Sequence, residues 1–305
     1  MTTDRPSFAV VGAGGVGGYF GGRLARAGFE TAILARGAHL EAIRRSGLRV
    51  EQPDGGFTVQ VQATDEPAQI GPVDFVLFAV KLWDTEAAAE ACRPLVGPET
   101  AVVSLQNGVD SEPTLARILG GDHVVGGVAE ISAAITAPGT VTRFSPFQRI
   151  RAGELQPTDS GRLGRLADAC RAAGIDFTRP DDIGAAIWLK FVFLVGLSAL
   201  TALTRRPIGP VREDPDTRAL LRAVMQEAFA VGRAKGVALP DDTVDARMAF
   251  VDTLPAEMRA SMAMDLEQGR RLELPWLSGA VSRLGRELGV ATPANDFVVA
   301  ALKLL

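Results

Sequence analysis

The stretch VVGAGGVGGYFGG, residues 10–22, decides the fold. Glycine recurs at 12, 14, 15, 17, 18, 21 and 22 within an otherwise apolar run. The segment Gly12-Ala13-Gly14-Gly15-Val16-Gly17 fits GxGxxG, a pattern that means little by itself. Its setting gives it meaning. SFAVVG (7–12) reads as a short, buried, apolar strand that ends in glycine, and residues 16–28 read as a helix closed by Gly28. In that context the glycines have separate tasks. Gly12 permits a tight turn, Gly14 lets backbone approach a pyrophosphate with no Cβ in the way, and Gly17 lets the helix lie close to the strand. The helix N-terminus, with Gly15 and Val16 in its first turn, offers unpaired N–H groups and the positive end of its dipole to the phosphates. The expected ligand is a dinucleotide.

The pattern continues outward as alternating strand and helix. TAILAR (31–36) is a second strand and AHLEAIRRSG (38–47) a helix with a glycine stop. LRVEQPDGGFTVQVQA (48–63) reads as a hairpin turning at PDGG. VDFVLFAVK (73–81) and TAVVSLQN (100–107) are further apolar strands, with DTEAAAEACRPL (84–95) a helix between them. This order predicts a parallel sheet built from βαβ units. Beyond residue 123 the chain becomes strand-rich, in HVVGGVAEISAAI, TVTRF and FQRIRAGE, and a helix follows near 159–173. After FTRPDDIG (177–184) the periodicity is almost entirely helical, with breaks at RRPIGP, GVALPDD and LGVATP. The expected division is an α/β dinucleotide-binding domain over 1–180 and an all-α domain over 181–305.

The end of the second strand selects the dinucleotide. A site for NAD usually places an acid there to hold the ribose 2′-hydroxyl. This strand ends in Arg36, whose guanidinium matches a 2′-phosphate in charge and fork geometry. NADPH/NADP+ is therefore the expected cofactor. Lys81, at the end of another strand, can add a second positive charge in the same crevice.

Composition bounds the alternatives. The chain has 305 residues, 47% hydrophobic and 22% charged, with net charge −4 and no long run of either sign. Neither a nucleic-acid partner nor a membrane surface is suggested. Cys92 and Cys170 stand far apart, and His39 and His123 lack metal-ligand spacing, so neither a disulfide framework nor a metal is expected. The N-terminal MTTDRPSFAVV lacks the basic and apolar regions of a signal peptide. The longest apolar segment, AAIWLKFVFLVGLSALTAL, carries Lys190 in its middle. A cytoplasmic protein is the expectation, and the helical half offers a face for a homodimer.

Together GAGGVGGYFGGRLARAG, ILARGAHLEAI, AVKLWDT and LQNGV, with IWLKFVFLVGLSALTAL and SMAMDLEQGRRLELPWLSG downstream, resemble the ketopantoate reductase (2-dehydropantoate 2-reductase) family over essentially the whole chain. The resemblance implies a Rossmann-type domain followed by a helical domain. It also implies NADPH-dependent reduction of a 2-oxo acid, 2-dehydropantoate to pantoate in pantothenate biosynthesis. Carried over by position, the general-acid lysine falls on Lys190, its glutamate on Glu273, the carboxylate-binding serine on Ser261, and the asparagine beside the nicotinamide on Asn107. The residues suit these roles. Reduction of a ketone leaves an alkoxide that needs a proton. A lysine among Trp188, Leu189, Phe191, Val192 and Phe193 is placed to have its pKa lowered by desolvation. Glu273 can hold the amine in place, and Asn107 ends a sheet strand where such sheets bind ligands.

The sequence departs from the family on the substrate side. Asparagines common four and eight residues after the lysine are here Leu194 and Ser198, and a third, downstream, is Ile208. Two enzymatic readings follow. One is a divergent ketopantoate reductase that uses Ser198, Thr201 or the arginines 205, 206 and 212 to grip its substrate. The other is a reductase of a more apolar 2-oxo acid or a derived imine. A third reading is an NADPH-binding sensor without activity, which would have no use for Lys190 and Glu273.

Overall fold

The structure, a computed structural model, describes residues 5–156 and 161–305. The chain divides into two compact units that meet in sequence at Ile183/Gly184. In chain order the first holds β1 (Phe8–Val11), α1 (Gly15–Arg26), β2 (Thr31–Leu34), α2 (Gly37–Ser46), β3 (Leu48–Glu51), β4 (Phe57–Val59), β5 (Gln62–Thr64) and β6 (Val73–Phe78). There follow α3 (Thr85–Ala91), β7 (Val96–Ser104), α4 (Ser111–Leu119), β8 (Val124–Glu130), β9 (Ala133–Ala137), β10 (Thr140–Arg143), β11 (Arg149–Glu154), α5 (Arg162–Ala172) and β12 (Asp176–Thr178). The start of the helix expected near 159 lies outside the described residues.

The main sheet has eight strands in the order β12-β11-β8-β7-β6-β1-β2-β5. From β5 to β8 every neighbouring pair is parallel, and only the β8–β11 pair is antiparallel. The order reverses between β1 and β6, so the carboxyl ends of these two strands form the crevice where open α/β sheets bind ligands. β1 (FAVV) is buried along its whole length, as a strand covered on both faces must be.

A second sheet, β4-β3-β10-β9, adds what the local pattern does not reveal. The hairpin expected at 48–63 supplies β3 and β4, with Gly55 at φ +105° in its turn. Its last residues, however, belong to β5, which joins the main sheet beside β2. β10 returns from about 90 residues further on to pair with β3 in parallel. One apolar cluster then contains Val10 and Ile33 of the main sheet, Tyr19, Phe20 and Leu24 of α1, and Val50 and Val141 of the second sheet. α1 thus lies between two sheets. The helix expected over 84–95 stops at Ala91, and Pro94 falls in a separate 3-10 turn, Arg93–Leu95.

The second unit contains α6 (Ile183–Thr204), α7 (Ile208–Glu213), α8 (Pro215–Ala234), α9 (Thr243–Thr253), α10 (Ser261–Glu267), α11 (Ser278–Leu288) and α12 (Pro293–Leu302). The breaks expected at 205–210, 236–242 and 288–293 separate α6 from α7, α8 from α9 and α11 from α12. α6 is apolar around most of its circumference and mostly buried, the signature of a central helix. By length and composition it is the one helix among the described residues able to cross a membrane. It lies tight against α8: a Cβ at Gly196 would sit 2.6 Å from Met225 Cε, and one at Gly232 2.7 Å from the Trp188 ring. α8 also anchors α12. The Glu227 carboxylate accepts from the Ala294 and Asn295 amides at 2.7 and 2.8 Å and from Asn295 Nδ2 at 2.7 Å, occupying donors that a helix start leaves unpaired.

Candidate active site

The glycine turn follows β1 at the crevice. Gly12 has φ +101°, and a Cβ there would lie 2.8 Å from the backbone of Ala79 and Val80, just past β6. A Cβ at Gly17 would meet the Gly12 carbonyl oxygen at 2.2 Å and Val10 Cγ1 at 2.8 Å. Both match the tasks read from the sequence. Gly14 differs in kind: a Cβ there would have nothing within 4 Å. Its bare Cα faces open space at the first turn of α1, a cradle that a methyl group would fill and a phosphate can approach. The residues present therefore fit a dinucleotide. Ala13 is buried, and its amide donates to the Leu34 carbonyl oxygen at 3.3 Å, tying the turn to β2.

At the other glycines of α1 the missing Cβ is explained by packing. A Cβ at Gly15 would lie 2.0 Å from the Ala133 carbonyl oxygen of β9. One at Gly18 would meet Val141 at 2.8 Å, at Gly21 Val10 at 2.6 Å, and at Gly22 Val50 at 2.8 Å. α1 is glycine-rich past its motif because it has no room for side chains on either side. Val16, beside Gly15 in the first turn, is half-buried.

Arg36 lies two residues beyond β2 and is exposed; its carbonyl oxygen accepts the Leu40 amide at 3.4 Å, while its guanidinium makes no hydrogen bond or ion pair with the described residues. Its guanidinium is available to an anion at the edge where β2 adjoins the glycine turn. Lys81 caps the 3-10 turn after β6, with its ammonium 5.6 Å from the centre of the Trp83 ring. Asn107 is half-buried three residues past β7, followed by Gly108 at φ +90°. Gly12, Gly14, Lys81 and Asn107 thus stand along one edge of the sheet.

Two residues that sequence reasoning missed hold this edge together. Buried Gln106 donates from Nε2 to the Val80 carbonyl oxygen and to Thr85 Oγ1, both at 2.9 Å, tying the Asn107 loop to the Lys81 turn. It was visible in LQNGV but carried no pattern of its own. His39 accepts the Gly139 amide on Nδ1 at 3.0 Å, joining α2 to the β9–β10 turn. Burial holds its pKa below the ordinary range, although the neighbouring Ala13 backbone favours its charged form. Both cysteines are buried, and desolvation pushes each thiol up to about 12, so neither is a nucleophile at neutral pH.

Lys190, Ser198, Ser261 and Glu273 belong to the helical unit. Lys190 is half-buried at the middle of α6, among buried Ile187, Trp188, Phe191 and Val192. Leu194, one turn on and also half-buried, shares its face. Ser198, a further turn along and about 12 Å from Lys190 by helix rise, is fully buried, and its Oγ has no hydrogen-bond partner. Thr201 Oγ1 donates to Leu197 O at 2.6 Å and accepts the Ala260 amide at 3.4 Å. That contact brings exposed Ser261, first residue of α10, beside the α6 segment that carries Ser198. Glu273 is buried at the head of the 3-10 turn Leu274–Trp276, where Pro275 lies in the first turn.

The arginines considered as substrate grips are placed less well. Arg212 Nη1 donates to the Val251 and Leu254 carbonyl oxygens at 2.8 and 2.7 Å, capping α9. Arg205 and Arg206 follow the end of α6, about 22 Å along its axis from Lys190, too far for one small acid to touch both. Ile208 is fully buried, and its amide is taken up by Met258 O.

Comparison with known proteins covers both units. The sequence signature described as ketopantoate reductase PanE/ApbA matches residues 8–157, and that of its C-terminal domain matches residues 182–305. The chain is similar to a 2-dehydropantoate 2-reductase of Mesorhizobium japonicum, 33% identical over 317 residues that cover 97% of this chain and 96% of the relative. Among solved structures it resembles a PanE/ApbA family ketopantoate reductase from Ralstonia eutropha JMP134, with TM-score 0.90 and 37% identity over 98% of this chain and 97% of that one. A D-mandelate dehydrogenase solved with NADH and anilino(oxo)acetate shares the fold, with TM-score 0.90 at 21% identity over 98% and 97% of the two chains.

Proposed function

We propose, from the premise that the chain belongs to the PanE/ApbA ketopantoate reductase family, that it reduces a 2-oxo acid to a 2-hydroxy acid with NADPH. The first substrate to test is 2-dehydropantoate, and the setting is the cytoplasmic synthesis of pantothenate. The observation that carries the reading is the open Cα of Gly14, on a turn tied through Ala13 to Leu34 of β2, the strand after which the unpaired Arg36 guanidinium stands. In this reading Gly12–Gly17 cradle the pyrophosphate, Arg36 and Lys81 meet the 2′-phosphate, and Asn107 borders the nicotinamide. Bound NADPH would supply the hydride to the keto carbon. Lys190 gives a proton from Nζ to the keto oxygen as charge develops there. Glu273 orients the ammonium and the exposed Ser261 holds the acid; the Ser198 hydroxyl has no partner in the protein but is fully buried, so it meets the acid only if α6 and its neighbours part on binding.

A second reading concerns the substrate. Leu194 sets an apolar side chain, where an amide would be expected, one turn from Lys190 on the accessible face of α6. This favours an acid, or an imine derived from it, whose side chain carries no hydroxyl. Loss of nicotinamide absorbance with 2-dehydropantoate and with 2-oxoisovalerate, which lacks the hydroxyl, separates the two: the preferred acid names the reading. Tight NADPH binding with no turnover of either acid counts against both.

The cofactor assignment has its own test. Arg36→Asp should shift preference from NADPH toward NADH by about 10- to 100-fold, because a charge-assisted contact to phosphate is worth about 1.5–3 kcal/mol and the new carboxylate repels that phosphate. An unchanged NADPH:NADH ratio removes Arg36 from the 2′-phosphate site.

A further inference from the structure

The side of α6 that carries Lys190 continues as an aromatic surface that the reaction as described leaves unused. From residue 185 to residue 200 only positions 185, 189, 190, 193 and 194 are not buried, and apart from Lys190 they are apolar: Ala185, Leu189, Phe193 and Leu194. The other aromatic side chains of α6 belong to the core. Trp188 and Phe191 are buried and meet edge to face with ring centres 5.3 Å apart, and Trp188 also lies tight against Gly232 of α8. Phe193 has a different partner. Its ring meets Phe250 of α9 edge to face, with centres 5.2 Å apart and planes at 69°. Phe250 is 41% exposed, although a ring of that size gains most from full burial. A lone exposed phenylalanine would need no explanation. This one is the outer member of a pair that starts one turn from Lys190.

Both rings are held in place. In a helix the Cα–Cβ bonds tilt toward the N-terminus, so Phe193 and Leu194 lean back over the turn that carries Lys190. α9 is fixed at its C-terminal end. Arg212 Nη1 caps the Val251 and Leu254 carbonyl oxygens, and the Arg218 guanidinium forms a two-pronged ion pair with Asp252 at 2.6 and 2.8 Å. The Arg247 guanidinium lies over the Phe250 ring, 6.0 Å from its centre. We propose that Phe193 and Phe250 are specificity-determining residues, and that the preferred substrate is a 2-oxo acid whose side chain ends in an aromatic ring. The proposal deepens the reading that Lys190 protonates a 2-oxo acid, and rests on it. With the keto oxygen at Nζ, the side chain of the acid lies along this face, where Leu194 offers no hydrogen bond and the two rings offer an edge and a face. A third ring completes the cluster and takes out of water apolar surface that the protein alone leaves exposed. The balance is that of the reductase reading: the keto carbon gains the hydride that NADPH supplies, its oxygen gains the proton of Nζ, one NADP+ results, and a solvent proton restores the ammonium.

The test compares phenylpyruvate with 2-oxoisovalerate and 2-dehydropantoate on the full chain. It reads kcat/KM with NADPH, and calorimetric dissociation constants with NADP+, where no turnover occurs. Wild type should prefer phenylpyruvate in both measurements. Phe250→Ala should lower that preference about tenfold, the scale of one aromatic contact with the apolar area it covers, and Phe250→Tyr should keep it. Phe193→Leu, which leaves an apolar side chain on α6, should lower it as well. Phe250 is exposed, so its variants spare the core, and a melting curve checks this. A wild type that prefers 2-oxoisovalerate or 2-dehydropantoate overturns the proposal and leaves the reductase reading intact. So does a preference for phenylpyruvate that neither Phe250→Ala nor Phe193→Leu moves. Dissociation of a wild-type dimer by Phe250→Ala, with the preference unmoved, assigns the ring to a second copy of the chain and overturns the proposal too. No turnover of any 2-oxo acid by folded protein that binds NADPH overturns the reductase reading and this proposal with it.

Discussion

Lys190→Ala should lower kcat by about 10²-fold or more, the usual scale for losing a positioned acid, and leave the NADPH dissociation constant unchanged. The second half follows from location. Lys190 lies in the helical unit, and the glycine turn, Arg36 and Lys81 lie in the other. The helix should persist, because alanine is the best helix former and the neighbours of Lys190 on α6 are buried apolar side chains. Lys190 does have an interaction partner, and in this reading the buried Glu273 holds its ammonium. Leaving that carboxylate without its cation should lower the melting temperature, so turnover is compared well below the variant's own unfolding transition. Retained turnover in a folded Lys190→Ala protein would remove the residue from the mechanism. Lost turnover with lost NADPH binding would mean that it serves cofactor binding rather than proton transfer.

Adjacent glycines should fail in opposite ways. Gly14→Ala places a methyl group in open space at a backbone φ of −69°, which alanine adopts freely. The melting temperature should hold, while NADPH affinity drops at least about tenfold, roughly 1.4 kcal/mol, because the methyl group occupies the cradle. Gly15→Ala drives a Cβ to 2.0 Å from the Ala133 carbonyl oxygen. That oxygen is backbone in a paired strand and cannot rotate away, so α1 or β9 must move, at a cost of about 1–3 kcal/mol or more. This variant should lose several degrees of melting temperature. Equal stability in the two variants would contradict the packing account of Gly15. Equal NADPH affinity in Gly14→Ala and wild type would contradict the cradle.

These two positions also mark how far the sequence could be read. Gly12, Gly14 and Gly17 were legible because their tasks are local: a turn, a bare approach and one helix against one strand. Gly15, Gly18 and Gly22 were not, because the surface they touch is β9, β10 and β3, and β10 reaches β3 only across some 90 residues. Period-2 alternation announces a strand but not its partner. That is why the hairpin at 48–63 was found and the four-stranded sheet was not. α4 escaped as well, although Asp110 just ahead of it and Pro113 in its first turn are ordinary start signals. Its apolar stripe is short, and the glycines on both sides read as loop.

The candidate site was legible to a similar depth. A strand-turn-helix context raised the glycine motif, and charge at the end of β2 singled out Arg36. Lys190 stood out as one cation in an apolar helix. Gln106 gave no signal because its task, bonding to Val80 and Thr85, depends on two strands that meet only in the fold. Arg212 gave a misleading one: a basic turn invites an anion, yet its guanidinium caps α9.

The central claim is that hydride passes from the nicotinamide to the keto carbon of a 2-oxo acid on this chain. NADPH deuterated at both C4 positions tests it directly, with the hydroxy acid product examined by mass spectrometry and NMR. The account predicts deuterium at C2 of the product for every turnover, and none when Lys190→Ala has stopped the reaction. Product formed without deuterium at C2, or NADPH held tightly and never oxidised by any 2-oxo acid, would contradict it.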